Sequence, residues 1–268
     1  MIVEIIIIGN EILTGHTLDT NSQYIAKKIT EMGGQVRRII KVPDAINEIA
    51  DAVKYALSHE PDFIITTGGL GPTYDDKTAQ AIAVALNVPL VRNQKAYVLI
   101  RDRYLDLYQS GLVDSYDMTP PREKMADLPE GVEVIPNRVG TAPGFHITKD
   151  KTTIICLPGV PDEMKDMFER EVMKLLESKA EELVYKEYDV AVEITDETKL
   201  APIVRQVMDE FPRVYVKSHP TGYSKKGKIV VTISVQAPTE EEADSILKKA
   251  VERLLELVYN RLSLEDLT

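Results

Sequence analysis

Apolar and polar positions follow two alternating rhythms along the first two-thirds of the chain. "VEIIIIG" (residues 3–9) is β-branched, nearly uninterrupted and ends in glycine, the pattern of a strand covered on both faces. "DTNSQYIAKKITEMGG" (19–34) then sets Tyr24, Ile25, Ile29 and Met32 at helical spacing before a double-glycine stop. "QVRRIIKV" (35–42) predicts a second strand. "DAINEIADAVKYALSHE" (44–60) predicts a second helix with Ile46, Ile49, Val53, Ala56 and Leu57 on one stripe and Asp44 as N-cap. "DFIITT" (62–67) is a third strand, from which a glycine-rich loop opens the helix "DDKTAQAIAVALN" (75–87). Residues 93–110 read as helix and 111–131 as loop, with Pro120, Pro121 and Pro129. "VEVIPN", "GFHITKD" and "TTIICL" predict shorter strands, and 158–180 a turn followed by one long amphipathic helix. This β-α-β-α-β-loop-α order predicts an α/β fold with a doubly wound, mostly parallel sheet. Ligands of such sheets bind outside the carboxyl ends of the strands, where the glycine loop falls.

The rhythm restarts near Glu182. "YKEYDVAVEI", "TKLAPIVRQVMDEF", "RVYVKSHP", "KIVVTISVQA" and "EEEADSILKKAVERLLELV" give β-α-β-β-α, with "TGYSKKG" (221–227) as a hairpin loop. Two domains are expected, 1–180 and a smaller α+β unit, 181–268.

Composition narrows the partners. The 268 residues are 44% hydrophobic and 28% charged, which is globular, and carry a formal net charge of -11. That charge argues against nucleic acid and anionic membranes, though not against a small anion in a locally positive or metal-bearing site. The N-terminal apolar run is too short to span a bilayer and lacks a signal peptide's basic flank. A single cysteine, Cys156, sits in an apolar run, which fits a buried core thiol and a reducing cytoplasm.

The loop "TTGGLGPTYDDKT" (66–78) carries opposed chemistries. Gly68, Gly69 and Gly71 before a helix N-terminus make a turn able to present free amides to a phosphate. Asp75 and Asp76 follow, and carboxylates repel phosphates. Either the loop is a turn with Thr73 and Asp76 in a capping box, or the glycines hold a phosphate and the aspartates its metal. The loop is neither a Walker A sequence nor G-x-G-x-x-G.

Five segments in order, "IIIIGNEILTGHTLDTN", "KVPDAINEIADAV", "IITTGGLGPTYDDKT", "NRVGTAPGF" and "LPGVPDEM", resemble the N-terminal domain of the CinA (competence/damage-inducible) family, within the molybdopterin-binding superfamily. The resemblance covers about residues 1–175, and the tail resembles that family's KH-like middle domain. The chain stops where the family's nicotinamide-mononucleotide deamidase domain would start, so deamidation is not expected. What the resemblance implies is metal-dependent hydrolysis of ADP-ribose-type pyrophosphates, a nucleotide pyrophosphatase. In the related molybdopterin adenylyltransferases, acidic residues match Asp44 and Asp76. Many relatives have Asp where this chain has Asn10, and Glu11 stands beside it.

The expected site follows. Glu11, Asp44 and Asp76 are the catalytic candidates. Asp75, Asp76 and Glu11 are the candidate ligands of Mg²⁺, Mn²⁺ or Co²⁺. Gly68, Gly69, Gly71, Thr73, Thr78, Asn21, Gly140, Thr141, Pro158, Gly159 and Glu163 are the ligand-binding set. The expected ligand is a phosphorylated nucleotide or pterin, and the chain is expected to be a homo-oligomer, such as a dimer. Molybdopterin binding or adenylyl transfer in molybdenum cofactor biosynthesis is one alternative, and a non-catalytic module for a phosphorylated ligand another.

Overall fold

The computed structural model describes residues 1–179, 183–194, 196–220 and 229–265. By its contacts the chain divides into two units, Met1–Thr30 with Gly34–Ala180, and Glu31–Gly33 with Glu181–Thr268.

The first unit runs β1 (Ile2–Ile8), α1 (Asn10–Leu13), α2 (Asn21–Glu31), β2 (Gln35–Val42), α3 (Ile46–Leu57), β3 (Phe63–Thr67) and α4 (Thr78–Leu86). It continues with β4 (Leu90–Arg92), α5 (Gln94–Gln109), α6 (Pro120–Lys124), β5 (Asp127–Pro129), β6 (Glu133–Ile135), β7 (Gly144–Lys149) and β8 (Thr152–Leu157). α7 (Pro161–Met167) passes through a π-helical turn, Phe168–Val172, into α8 (Met173–Glu177). Six strands form one sheet in the order β2-β1-β3-β8-β7-β6. β2, β1, β3 and β8 are parallel, while β7 and β6 run antiparallel to their neighbours. The mostly parallel expectation holds.

The uninterrupted apolar runs are explained by burial on both faces. Ile6, Ile8, Ile64, Ile154 and Cys156 pack with Ile49 and Val53 of α3, Ala81 and Ile82 of α4 and Ile100 of α5. Residues of the other parity, Ile5, Ile65 and Ile155, are equally inaccessible, as are Ile25 and Ile29 of α2 and Phe168. Burial pushes the Cys156 thiol up to about 12, so it is an inert core group.

Ile7, Thr67 and Leu157 lie in one register across β1, β3 and β8. The chain leaves β1 toward β2 on one side and leaves β3 toward the other side of the sheet. The crevice opened by that reversal is where ligands of open α/β sheets bind.

Four expectations need correction. α3 begins at Ile46 after Ala45, and Asp44 does not cap it. α4 begins at Thr78 rather than Asp75, so Asp75 and Asp76 lie in a turn ahead of the helix. Residues 111–131 contain α6, with proline in its first turn, and β5, which pairs with β4. The long C-terminal helix of this unit is interrupted by the π turn.

The second unit contains β9 (Val184–Val192), α9 (Glu197–Glu210), β10 (Val214–Pro220), β11 (Ile229–Ala237) and α10 (Glu240–Glu265). Its antiparallel sheet has the order β10-β11-β9. Leu200 and Val207 of α9 and Ala250 and Leu254 of α10 pack on Val190, Val216, Val231 and Ile233. The predicted hairpin loop, 221–227, lies outside the described residues.

Candidate functional site

The glycine turn is built against the end of β1. Gly68 has φ +107° and Gly69 +67°, a region that side chains rarely adopt. A Cβ on Gly68 would lie 2.1 Å from the Ile8 carbonyl oxygen, and one on Gly69 2.4 Å from Thr78 Oγ1. The Gly68 amide donates to Leu157 O at 3.0 Å, prolonging the β3–β8 ladder. Thr78, fully buried, donates its hydroxyl to Gly68 O at 2.7 Å. Thr78 is therefore a brace for the turn. Among the described residues nothing accepts the N–H groups of Gly69 and Gly71, which leaves them able to bind an anion.

The acidic turn follows at once. Thr73 donates its amide (2.8 Å) and hydroxyl (2.7 Å) to Asp76 Oδ2, and its hydroxyl also contacts Asp75 Oδ1. Thr73 thus orients the two aspartates, and its bond to Asp75 holds that carboxyl below the usual range. Lys124 Nζ donates to the carbonyls of Thr73 and of Asp76 (2.7 Å), clamping the turn from behind.

Asp44 accepts the Asn10 amide at 2.8 Å and so ties the start of α1 to the segment after β2. Burial raises its pKa; the Asn10 bond opposes this, and the charges of Glu11, Asp75 and Asp76 add to the rise. These four carboxylates line one cleft of about 450 Å³, together with Gly68, Gly69, Gly71, Thr141, Pro158, Gly159 and Glu163. Among the described residues no three carboxylate, histidine or cysteine groups converge closely enough to hold a metal by themselves.

Three of the cleft carboxylates lie directly against a glycine. A Cβ on Gly9 would be 2.4 Å from Glu11 Oε1, one on Gly71 2.7 Å from Asp76 Oδ2, and one on Gly140 2.2 Å from Glu163 Cδ. None of these glycines is in the left-handed region. What a side chain there would displace is the carboxylate, and backbone conformation is not at issue.

Asn137 organises the wall near Glu163. Its Nδ2 donates to Glu163 Oε2 (2.6 Å) and Ala142 O (2.8 Å), while Oδ1 accepts the amides of Val139 and Gly140. Arg103 donates to the carbonyls of Gly140 (3.0 Å) and Val139 (2.7 Å). Burial pushes the Glu163 carboxyl up; the Asn137 bond and the Arg103 charge pull the other way without cancelling it. Asn21 donates to Gly159 O at 2.8 Å, so its amide fixes the loop after β8. A Cβ on Gly159 would sit 3.3 Å from Gly68 Cα, where the two loops cross closely.

Sequence reasoning missed Lys124, Asn137 and Arg103. Asn137 had a local signal, an Asx residue opening a glycine-bearing turn. The other two had none, because their partners lie 48 to 51 and 36 to 37 residues away.

The family described as "Probable molybdopterin binding domain" matches residues 4–178. A protein of Pyrobaculum arsenaticum is 42% identical over 258 residues, covering 96% of this chain and 94% of that one. One from Pyrococcus furiosus is 41% identical over 252 residues, covering 94% and 98%. The crystal structure of the protein CinA with unknown function from Thermoplasma acidophilum is 37% identical with a TM-score of 0.58, covering 65% of this chain and 97% of that one. Through residues 4–178, which carry the whole cleft, the chain belongs to the molybdopterin-binding domain family.

Proposed function

We propose that the chain hydrolyses a nucleotide pyrophosphate such as ADP-ribose with the help of a divalent cation. One observation carries this reading: Glu11, Asp44, Asp75 and Asp76 line one cleft beside the open amides of Gly69 and Gly71. A carboxylate about 4 Å from a phosphate oxygen costs roughly 1 kcal/mol in water and about 4 at intermediate dielectric. A helix end returns only about 0.3–1 kcal/mol. The donors are hard oxygens, which suit Mg²⁺ or Mn²⁺, with Co²⁺ as a substitute. Asp75 or Asp76 with Glu11 would hold the ion, since Mg²⁺ takes one or two carboxylates and completes its shell with water and phosphate. Bound there, it supplies positive charge to the pyrophosphate.

The chain's own groups do the rest. The Gly69 and Gly71 amides take a phosphate oxygen. The Glu11 carboxylate orients the attacking water, whose oxygen bonds to phosphorus as the bridging P–O bond breaks; its proton goes to solvent, and AMP and ribose 5-phosphate leave. Thr73 and Lys124 hold the aspartates in place, and Asn137 holds the Glu163 carboxyl at the wall of the cleft.

The test is Asp76→Asn, which keeps an oxygen to accept both Thr73 bonds and removes the charge. The variant should melt nearly as wild type, while kcat/KM for ADP-ribose with Mg²⁺ falls at least about tenfold, roughly 1.4 kcal/mol. Wild-type activity across a metal titration, or full activity after chelation, would sink the proposal.

The family match favours a second reading, molybdopterin binding or adenylyl transfer. It requires a pterin and ATP, and product AMP-pterin without net hydrolysis would select it. Binding without turnover in either assay would leave a non-catalytic module. The proposal also takes residues from about 181 onward as a KH-like unit that does not bind RNA, and the protein as a cytoplasmic homo-oligomer. Sedimentation would give the oligomeric mass.

A further inference from the structure

A second cavity of about 140 Å³ shares Gly69, Leu70, Gly71 and Asp76 with the cleft. Its inner wall is apolar: Leu70, Met125 and Leu128 are at most 7% exposed, and Pro143 is buried. Leu90 forms an exposed lip. The wall is preformed, because Arg92 of β4 donates to Asp127 of β5 at 2.6 Å and also meets Glu123 of α6 at 3.2 Å.

The polar rim is Gln80, Lys124, Asp76 and Asp127. Lys124 is engaged by the turn carbonyls, Asp76 by Thr73 and Asp127 by Arg92. The side chain of Gln80, exposed in the first turn of α4, has no hydrogen-bond partner among the described residues. Ligand sites are mostly apolar hollows with a few placed polar groups. The volume is well below that of a site for a whole drug-sized ligand, typically about 300 Å³ or more, and suits one fused ring system. A carboxamide both donates and accepts, and pairs bidentately with a ring nitrogen beside an exocyclic amino group, as glutamine does with adenine.

We infer that this cavity seats the flat nitrogen heterocycle of the ligand whose phosphate occupies the cleft, with Gln80 reading its edge. The inference rests on the cleft being a phosphate site. Adenine and pterin share the chemistry, and the arms of the experiment separate them.

Binding of AMP, of a pterin bearing one phosphate and of ribose 5-phosphate is measured by calorimetry with Mg²⁺ present, on wild type and on Gln80→Ala. Alanine is a better helix former than glutamine, so the variant folds. AMP or the pterin phosphate should bind at least about tenfold more tightly than ribose 5-phosphate. Gln80→Ala should remove most of that margin and leave ribose 5-phosphate unchanged. Whichever compound holds the margin identifies the source of the ring. Equal binding of all three, or a margin that survives Gln80→Ala, overturns the inference while the cleft reading stands. Failure of ribose 5-phosphate to bind, with a Gln80-dependent margin intact, sinks the cleft reading and leaves only the seat for the ring. No binding by any of the three overturns both.

Discussion

Gly68→Ala should be the most damaging single methyl group that can be added to the glycine turn. The φ of +107° resists any L side chain, a strain of roughly 1–2 kcal/mol. The added Cβ would also lie 2.1 Å from a backbone oxygen, that of Ile8. No flexible side chain can swing away there, so β1 or β3 must shift, at about 1–3 kcal/mol for overpacking. Together these give about 2–5 kcal/mol against a total stability of about 5–15. At about 2–4 °C per kcal/mol for a unit of this size, Tm should fall by about 4–20 °C. Gly15 supplies the control, with φ +74° and nothing within 4 Å of its would-be Cβ. Gly15→Ala carries only the strain, partly offset by about 0.4–1 kcal/mol from a stiffer unfolded chain. Calorimetric melting of both variants separates close approach from backbone conformation. If the two lose the same Tm within about 2 °C, the packing of the turn against Ile8 contributes nothing and the reasoning fails.

Two other perturbations have definite signs. Gly71→Ala meets only the tip of the Asp76 side chain, which can move, so Tm should change by no more than about 2–4 °C while kcat/KM for ADP-ribose drops at least about tenfold; a wild-type rate would mean that the position of Asp76 is immaterial. Glu163 has a folded pKa raised above its ordinary value of 4.5, mainly by burial, so the stability tied to its protonated form is complete below that value and is lost as pH rises through the folded one. Glu163→Gln keeps an acceptor for Asn137 and removes the titration, so by denaturant unfolding its advantage over wild type should appear at neutral pH and close near about pH 4; an equal loss at every pH would mean that the charge is not the cost.

What was legible in the sequence was whatever local periodicity or a local φ requirement could encode. The uninterrupted run Ile5–Ile8 could only be a strand covered on both faces, and the helical stripes of α2 and α3 are equally plain. The β-α-β alternation placed the glycine loop at the carboxyl ends of the strands, where the cleft lies. Partner choice over long sequence distances was not legible. Glu4 sits fully buried within the first apolar strand, paired at 2.9 Å with Arg38 on β2, and nothing near it in sequence announces that partner. Asp44 shows the same limit more sharply. Its place two residues before a helix suggested a cap, yet its carboxylate accepts the Asn10 amide across two strands. A capping residue and a site residue of the same type differ only in what lies opposite them.

The glycines beside the aspartates have a second role besides the one that the sequence suggested. Gly68 and Gly69 serve the backbone, through φ and through contact with Ile8 and Thr78. Gly9, Gly71 and Gly140 have ordinary backbone geometry, and each leaves room for the carboxylate of Glu11, Asp76 or Glu163. Those three pairs come from three separate segments, after β1, after β3 and across the β6–β7 connection to α7, yet their carboxylates all line one cleft. A repeated glycine–carboxylate contact at one site and on independent loops is hard to ascribe to turn geometry, because turns would ask for unusual φ and these do not. It is accounted for if carboxylates must lie close against the main chain, held still and partly shielded from water, where burial, with neighbouring charge added, raises Asp44 and burial raises Glu163. Such an arrangement costs stability in the free protein and loses that cost when a cation or a proton arrives. The glycines therefore belong to the acidic half of the site as much as to the phosphate half.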